Sequence, residues 1–277
     1  MMYRVSVCNE FFGSRGLEES FSLLAREGYQ GVEVAPYTVF GDFTPSDLNQ
    51  GVKRLRKVLI LSGLTFVGFH WLMVKPEGLQ LLSPDPKIRK KSWDHLRLLV
   101  ELSGELGGGV LVLGSPKQRQ RGNIPLTEAN AYFEEGLFEV AALAQGQNSK
   151  LLLEALPKST TDMVNTLEEV KIWVEKIKNP ALQGMFDFHN TDDESRPWSA
   201  LVHDYFPLIH HVHFNNRQGN WPVAFKEGLD PDYRTTFKVL EELGYEGWYS
   251  LEIFTVPADP VRVLREVKSF FQKVREE

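Results

Sequence analysis

Eight short apolar runs, each followed by a longer amphipathic stretch, recur from one end of the chain to the other, and that alternation leaves few folds open. The strand-length runs are Tyr3–Cys8, Gly31–Ala35, Thr65–His70, Gly109–Leu113, Lys150–Ala155, Gln183–Phe188, Ile209–Phe214 and Trp248–Phe254. Between them lie candidate helices at Leu17–Glu27, Pro45–Ser62, Asp85–Leu106, Thr127–Gln145, Leu167–Lys176, Trp198–Tyr205, Asp232–Leu243 and Pro260–Glu276. Parallel strands need a crossover between neighbours, and a helix supplies it. Eight such units are the number that closes a parallel barrel, so the spacing predicts an α/β chain folded as one (β/α)8 domain over residues 1–277.

Local signals support the boundaries. Thr166 precedes Leu167-Glu168-Glu169, an N-cap hydroxyl with a carboxylate three positions on, which predicts a reciprocal capping box. Ser83-Pro84-Asp85-Pro86 opens another helix, with proline tolerated in the first turn. Two boundaries repeat each other: Gly28-Tyr29-Gln30-Gly31-Val32-Glu33-Val34 and Gly244-Tyr245-Glu246-Gly247-Trp248-Tyr249-Ser250-Leu251-Glu252, where a glycine ends a helix and the chain re-enters a buried strand. An open doubly wound sheet is the competing fold. Its glycine-rich phosphate turn is missing after the first strand, where Asn9-Glu10-Phe11-Phe12-Gly13-Ser14-Arg15-Gly16 stands. The long connections Trp71 to Leu82 and Phe214 to Asp232 both follow a strand C-terminus, the end of a barrel where loops build a site.

Four apolar runs in the second half finish on metal-seeking side chains: Leu151-Leu152-Leu153-Glu154, Met185-Phe186-Asp187, Ile209-His210-His211-Val212-His213 and Trp248-Tyr249-Ser250-Leu251-Glu252. In a closed barrel these ends face one way and converge. Three carboxylates and an imidazole at one point call for a divalent cation, because like charges repel unless a cation or proton separates them. Glu154, Asp187, His213 and Glu252 are therefore the candidate ligands, Glu154 and Glu252 most clearly, since an unpaired carboxylate within an apolar run is costly. Alternation sends His211 and His213 to one face and His210 to the other, which makes His211 a contact to a ligand residue or to substrate. Asp187 as a loop cap is the alternative reading of that residue.

Composition excludes several classes. A net charge of −6 disfavours a polyanionic partner, so no nucleic acid is expected. Apolar stretches fall short of a bilayer span and the N-terminus carries no signal-like segment, so the expectation is a cytoplasmic protein without a membrane partner. The single cysteine, Cys8, rules out an intrachain disulfide and reads as a buried packing residue.

With these motifs in order, the chain resembles the xylose isomerase-like TIM barrel superfamily, which includes sugar isomerases, ketose 3-epimerases, inosose dehydratases and endonuclease IV. Leu153-Glu154-Ala155-Leu156-Pro157, Phe186-Asp187-Phe188-His189-Asn190, His211-Val212-His213 and Ser250-Leu251-Glu252 match the places of the four metal ligands in the isomerase and epimerase branches. Phe69-His70-Trp71-Leu72 and Gly114-Ser115-Pro116-Lys117-Gln118-Arg119 resemble a sugar phosphate isomerase/epimerase branch. The resemblance implies an enzyme that binds Mn²⁺ or Mg²⁺, with Zn²⁺ as the alternative, and that acts on a small ketose or its phosphate through an enediolate. In that reading Glu154 and Glu252 bind the cation and serve as the acid/base pair, while Asp187 and His213 only hold it. His70, Trp71, Arg119, His189, His211 and Arg217 are expected to contact the sugar, with Arg121, Trp198, Trp221 and Phe11 as softer candidates. Acidic barrels of this group often pair, so a homodimer is among the expected partners.

The pattern departs from the epimerases at three places. His189 stands two residues after Asp187 instead of three, Thr160 takes the place of a second glutamate, and Asn220-Trp221-Pro222-Val223-Ala224-Phe225 replaces a glycine-rich turn. An inosose-type dehydratase is the alternative within the group. A nuclease of the endonuclease IV kind is disfavoured by seven histidines in all and by the acidic charge, and a non-catalytic sugar-binding barrel by the four intact ligand positions.

Overall fold

The computed structural model describes residues 3–222 and 231–276. Its strands are β1 (Arg4–Cys8), β2 (Gly31–Val34), β3 (Thr65–Phe69), β4 (Val110–Leu113), β5 (Lys150–Leu153), β6 (Leu182–Asp187), β7 (Ile209–Phe214) and β8 (Trp248–Leu251). All run parallel in chain order, and β8 closes on β1 through Arg4↔Trp248 to Val7↔Leu251. The expected (β/α)8 barrel is the observed fold. The crossover helices are α1 (Leu17–Arg26), α2 (Pro45–Ser62), α3 (Pro86–Glu105), α4 (Leu126–Gly146), α5 (Leu167–Ile177), α6 (Trp198–Tyr205), α7 (Pro231–Glu242) and α8 (Pro260–Glu276). None of the described helices is long and apolar enough to cross a membrane. Of the long connection after β7, residues 223–230 lie outside the described residues, with Val223-Ala224-Phe225 of the departure noted above.

Most of the apolar surface is buried between the strands and the helix ring, as Leu111, Leu113, Leu151, Leu153 and Phe186 meet Phe133, Leu137 and Val170. Alternation turns the other set inward, where Val112, Leu152 and Met185 pack together inside the barrel. Ser6 and Ser250 share a 2.5 Å hydrogen bond in the same interior. The next inward positions, two residues further along each strand, are Cys8, Gly114, Glu154, Asp187 and Glu252. Strand alternation thus delivers an apolar layer and then a polar layer at the C-terminal mouth.

The caps follow their chemistry with one correction. Asp85 accepts the Lys87 N–H at 2.8 Å, and Gly28 and Gly244 adopt φ of +78° and +79°. Thr166 accepts the Glu169 N–H, but Glu169 Oε2 takes the N–H of Asn165 at 2.7 Å instead of that of Thr166, so the expected reciprocal box is shifted by one residue. A complete capping box stands instead at Thr44 and Asp47, opening α2. The segment after β1, which carries no regular element in the sequence reading, winds into a single 3-10 turn over Asn9–Phe12.

Candidate metal centre

Glu154 and Glu252 each lie one residue past a strand end, while Asp187 and His213 face each other as register partners on β6 and β7. Each of the four offers one ligand atom, and these atoms all lie within 4.8 Å of one another. All four are buried. His213 Nδ1 stands 3.2 Å from Glu252 Oε2 and 3.7 Å from Asp187 Oδ2 with no hydrogen-bond partner of its own. Burial, then the charges of Asp187 and Glu252, push the Glu154 carboxyl well above the usual carboxylate range. Burial also opposes ionisation of Asp187, but the adjacent His213 ring and the N–H of His189 hold it below its ordinary value. Three crowded carboxylates and an orphaned imidazole nitrogen form a donor set that fits a divalent cation.

The backbone and neighbouring amides fix these oxygens. A Cβ on Gly114 would fall 2.1 Å from Glu154 Oε2, so only glycine lets that carboxylate take its place. Asn190 Nδ2 donates to Glu154 Oε1 at 3.0 Å and to Asp187 Oδ2 at 3.3 Å, and Asn215 Nδ2 donates to Asp187 Oδ1 at 3.2 Å. The indole of Trp71 donates to Glu252 Oε1 at 2.9 Å. Sequence reasoning missed both asparagines. Their one signal is position, two or three residues past a ligand.

Beneath the ligands lies a second polar cluster contributed mainly by the first half of the chain. Glu33, on β2 and fully buried, accepts from His211 Nε2 at 2.7 Å and from His213 Nε2 at 3.1 Å, and lies 3.7 Å from His70 Nδ1. His70 Nε2 pairs in turn with Glu10 Oε2 at 2.7 Å. Burial works against the charge on Glu33, yet His213 and His211 hold its carboxyl well below the usual range. Burial, with smaller contributions from the neighbouring His213 and His70, lowers His211 in spite of Glu33. Glu10 went unnoticed in the sequence because it lies on the 3-10 turn that folds back over the barrel mouth. Cys8 sits among these groups, buried as expected, its thiol pushed up by burial and then by Glu33.

A cavity of about 540 Å³ opens above the ligands, lined among others by His70, Trp71, Lys117, His189, Asn190 and Phe254. Trp71 and Phe254 stack with ring centroids 6.5 Å apart and form its apolar wall. Three of the six expected sugar contacts, His70, Trp71 and His189, therefore line the cavity, and Thr160 joins them. The other three do not. Arg119 is turned into the protein, where its guanidinium donates to the carbonyls of Leu113, Glu154 and Val164 and ties the β4 and β5 ends together. His211 is one layer too deep, committed to Glu33. Arg217 stacks 4.4 Å over Trp198 and lies 3.8 Å from Asp232, while its carbonyl accepts from His189 Nδ1 at 2.9 Å. Of the softer candidates, Phe11 and Trp198 are core residues, Trp221 donates its indole N–H to Glu266, and Arg121 reaches Asp162 and the Ile124 carbonyl.

Residues 21–274 match the model of the xylose isomerase-like TIM barrel family. A curated relative, an inosose dehydratase from Clostridium beijerinckii, is 23% identical over 271 residues, covering 87% of this chain and 83% of its own. Among solved structures, the apo 3-keto-D-glucoside 4-epimerase of E. coli superposes with a TM-score of 0.80 at 18% identity, over 98% of this chain and 99% of that one. The D-allulose 3-epimerase of Methylomonas sp., in complex with D-allulose, gives 0.78 at 17% identity, over 98% and 96%. At these identities the superpositions speak for the fold.

Proposed function

The chain belongs to the xylose isomerase-like TIM barrel family, and from that premise we propose that it is a divalent-metal-dependent isomerase or epimerase of a small ketose or ketose phosphate. The observation that carries this reading is the convergence of Glu154, Asp187, His213 and Glu252 at the floor of a cavity walled by stacked aromatics. An aromatic face suits the C–H side of a sugar, and the amide, hydroxyl and imidazole groups around it suit its hydroxyls. The oxygen-rich donor set favours Mn²⁺ or Mg²⁺, with Zn²⁺ accepted. When bound, the cation supplies Lewis acidity to a carbonyl and stabilises charge on its oxygen.

The chain's own residues do the rest. Asp187 and His213, each tied to other protein groups, hold position. Glu154 and Glu252 remove a proton from the carbon beside the carbonyl and return one, as general base and general acid. Asn190 and Trp71, by donating to one oxygen of Glu154 and of Glu252, leave the other oxygen of each free for this work.

The test is exchange of solvent deuterium into the carbon beside the carbonyl across a panel of ketoses and ketose phosphates. It is expected to require the metal and to vanish in Glu154→Gln and Glu252→Gln. Exchange that persists after chelation sinks the mechanism. A second reading, an inosose-type dehydratase, is favoured by the Glu10–His70 pair beside Glu252, a further acid group that an epimerase does not need. Loss of water from an inosose, seen as a new conjugated carbonyl absorbance, selects it.

A further inference from the structure

Glu33 has no place in the chemistry just described, yet its carboxylate is fully buried and commits both oxygens, Oε2 to His211 and Oε1 to His213. We infer that Glu33 is the positioning residue of the metal centre: by holding the Nε2–H of His213 it aims the Nδ1 lone pair of that ring at the cation. The inference rests on the metal reading above and adds a residue to it.

Three observations carry it. An ionised carboxylate only accepts hydrogen bonds, so each imidazole must present a hydrogen on Nε2. A neutral ring with its hydrogen on Nε2 keeps its lone pair on Nδ1, and Nδ1 of His213 is the atom 3.2 Å from Glu252 and 3.7 Å from Asp187 that has no hydrogen-bond partner among the described residues. The two nitrogens of His213 therefore face two different partners, the carboxylate below and the ligand cluster above. A histidine oriented in this way through its far nitrogen is also a stronger base toward a metal.

The backbone shows how Glu33 comes to lie there. β2 runs without interruption, the one extra residue of its ladder with β3 being Val67 on β3, and Glu33 stands in register with the inward-facing Cys8, so strand alternation alone turns it into the barrel. β2 and β7 are not neighbours in the barrel, so the Glu33 side chain crosses the barrel interior to reach His211 and His213. A carboxylate this deep is costly, and a purely apolar layer fills such a space more cheaply. The second imidazole, His211, fixes the carboxylate: it takes the other oxygen and leaves Oε1 for His213.

Glu33→Gln tests the role. A carboxamide accepts from one imidazole through its oxygen but offers N–H to the other, and it carries no charge. Titration of the metal-free chain with Mn²⁺, in competition with a chelator, is expected to show affinity about 10- to 100-fold below the unaltered chain. Glu33→Asp, which keeps the charge and the acceptors, recovers part of that loss. His211→Asn, which leaves the Glu33–His213 contact in place, binds Mn²⁺ far more nearly like the unaltered chain than Glu33→Gln does. A merely structural role predicts instead that the Glu33 and His211 variants lose affinity together.

The tautomer is read independently in histidine ¹⁵N spectra of the unaltered metal-free chain, taken above the pH at which His213 gives up its charge. The remaining ring hydrogen is expected on Nε2, and a hydrogen on Nδ1 overturns the inference. Unchanged Mn²⁺ affinity in Glu33→Gln overturns it as well. Absence of any divalent binding by the unaltered chain is a different result, which removes the proposed function and leaves the tautomer spectra to decide the role of Glu33.

Discussion

The two halves of the barrel contribute acidic groups to the same mouth and use them in opposite ways. From β5 to β8 come Glu154, Asp187 and Glu252, crowded around an imidazole nitrogen that lacks a partner. From β1 to β3 come Glu10 and Glu33, each already bonded to a histidine. In the second half the carboxylates crowd one another around one histidine, a donor set that fits a cation. In the first half they are satisfied internally and serve to orient. Strand alternation places Glu33 and Asp187 alike on the inner face, so what separates a candidate ligand from a support is whether other carboxylates crowd it.

The largest expected effect is on turnover and belongs to the second half. Glu154→Gln and Glu252→Gln are each expected to lower kcat/KM by about 10²- to 10⁴-fold, the range of a lost general acid or base. Steady-state kinetics on the substrate identified by deuterium exchange checks it. A variant in the first half with an equal loss and normal metal content, such as His70→Gln, breaks the division and moves the acid/base chemistry toward the Glu10–His70 pair.

Stability sharpens the contrast further. Metal at a hundredfold excess over its Kd is expected to raise the unfolding free energy by about 2.7 kcal/mol, because only the folded chain assembles the four donors. The gain is lost in Asp187→Ala and His213→Ala, and thermal melts with and without Mn²⁺ measure it. Without metal the two halves are expected to differ in sign. Glu154→Gln relieves a buried carboxylate pressed by Asp187 and Glu252 and raises the Tm, whereas Glu33→Gln leaves one imidazole facing a second donor and costs about 1–3 kcal/mol. A fall in Tm for both removes the distinction between waiting and satisfied charges.

The eight β/α units and the convergence of the four candidate ligands were legible because both are written in periodicity. A strand of alternating pattern ending on Glu, Asp or His gives both the face and the end of the barrel. Depth was harder to read. His211 shares its face with His213, but two residues of strand amount to about 7 Å, which separates a ring at the carboxylate cluster from a ring beneath it. Arg119 misled for another reason: a guanidinium beside a cavity reads the same whether it faces ligand or folds back to cap carbonyls. Here the carbonyls of Leu113, Glu154 and Val164 capture it. Glu10, Asn190 and Asn215 stand on turns or just past strand ends, and nothing local states that such a segment curls back over the mouth.

The smallest expected effect probes how the first half positions Trp71, its donor to Glu252. Trp71 follows β3 on a long connection, and the next residue, Leu72, is anchored by His95 of α3, whose ring donates from Nε2 to the Leu72 carbonyl at 2.9 Å and makes a T-shaped contact with Phe43. Burial, in spite of the bond to Leu72 and with a smaller contribution from Lys91, holds the His95 pKa below its ordinary 6.5. The unfolded chain therefore binds a proton near pH 6.5 that the folded chain resists, so stability from this group is complete above that value and declines as pH falls through the depressed folded pKa. His95→Gln keeps a donor and removes the titration. The difference in unfolding free energy between the two proteins is thus expected to favour the unaltered chain at pH 7.5 and to shrink toward pH 5, by about 1 kcal/mol or less. A difference that stays constant across that range means that the imidazole is protonated as easily inside as outside, and the anchor of Trp71 has to be sought elsewhere in the connection.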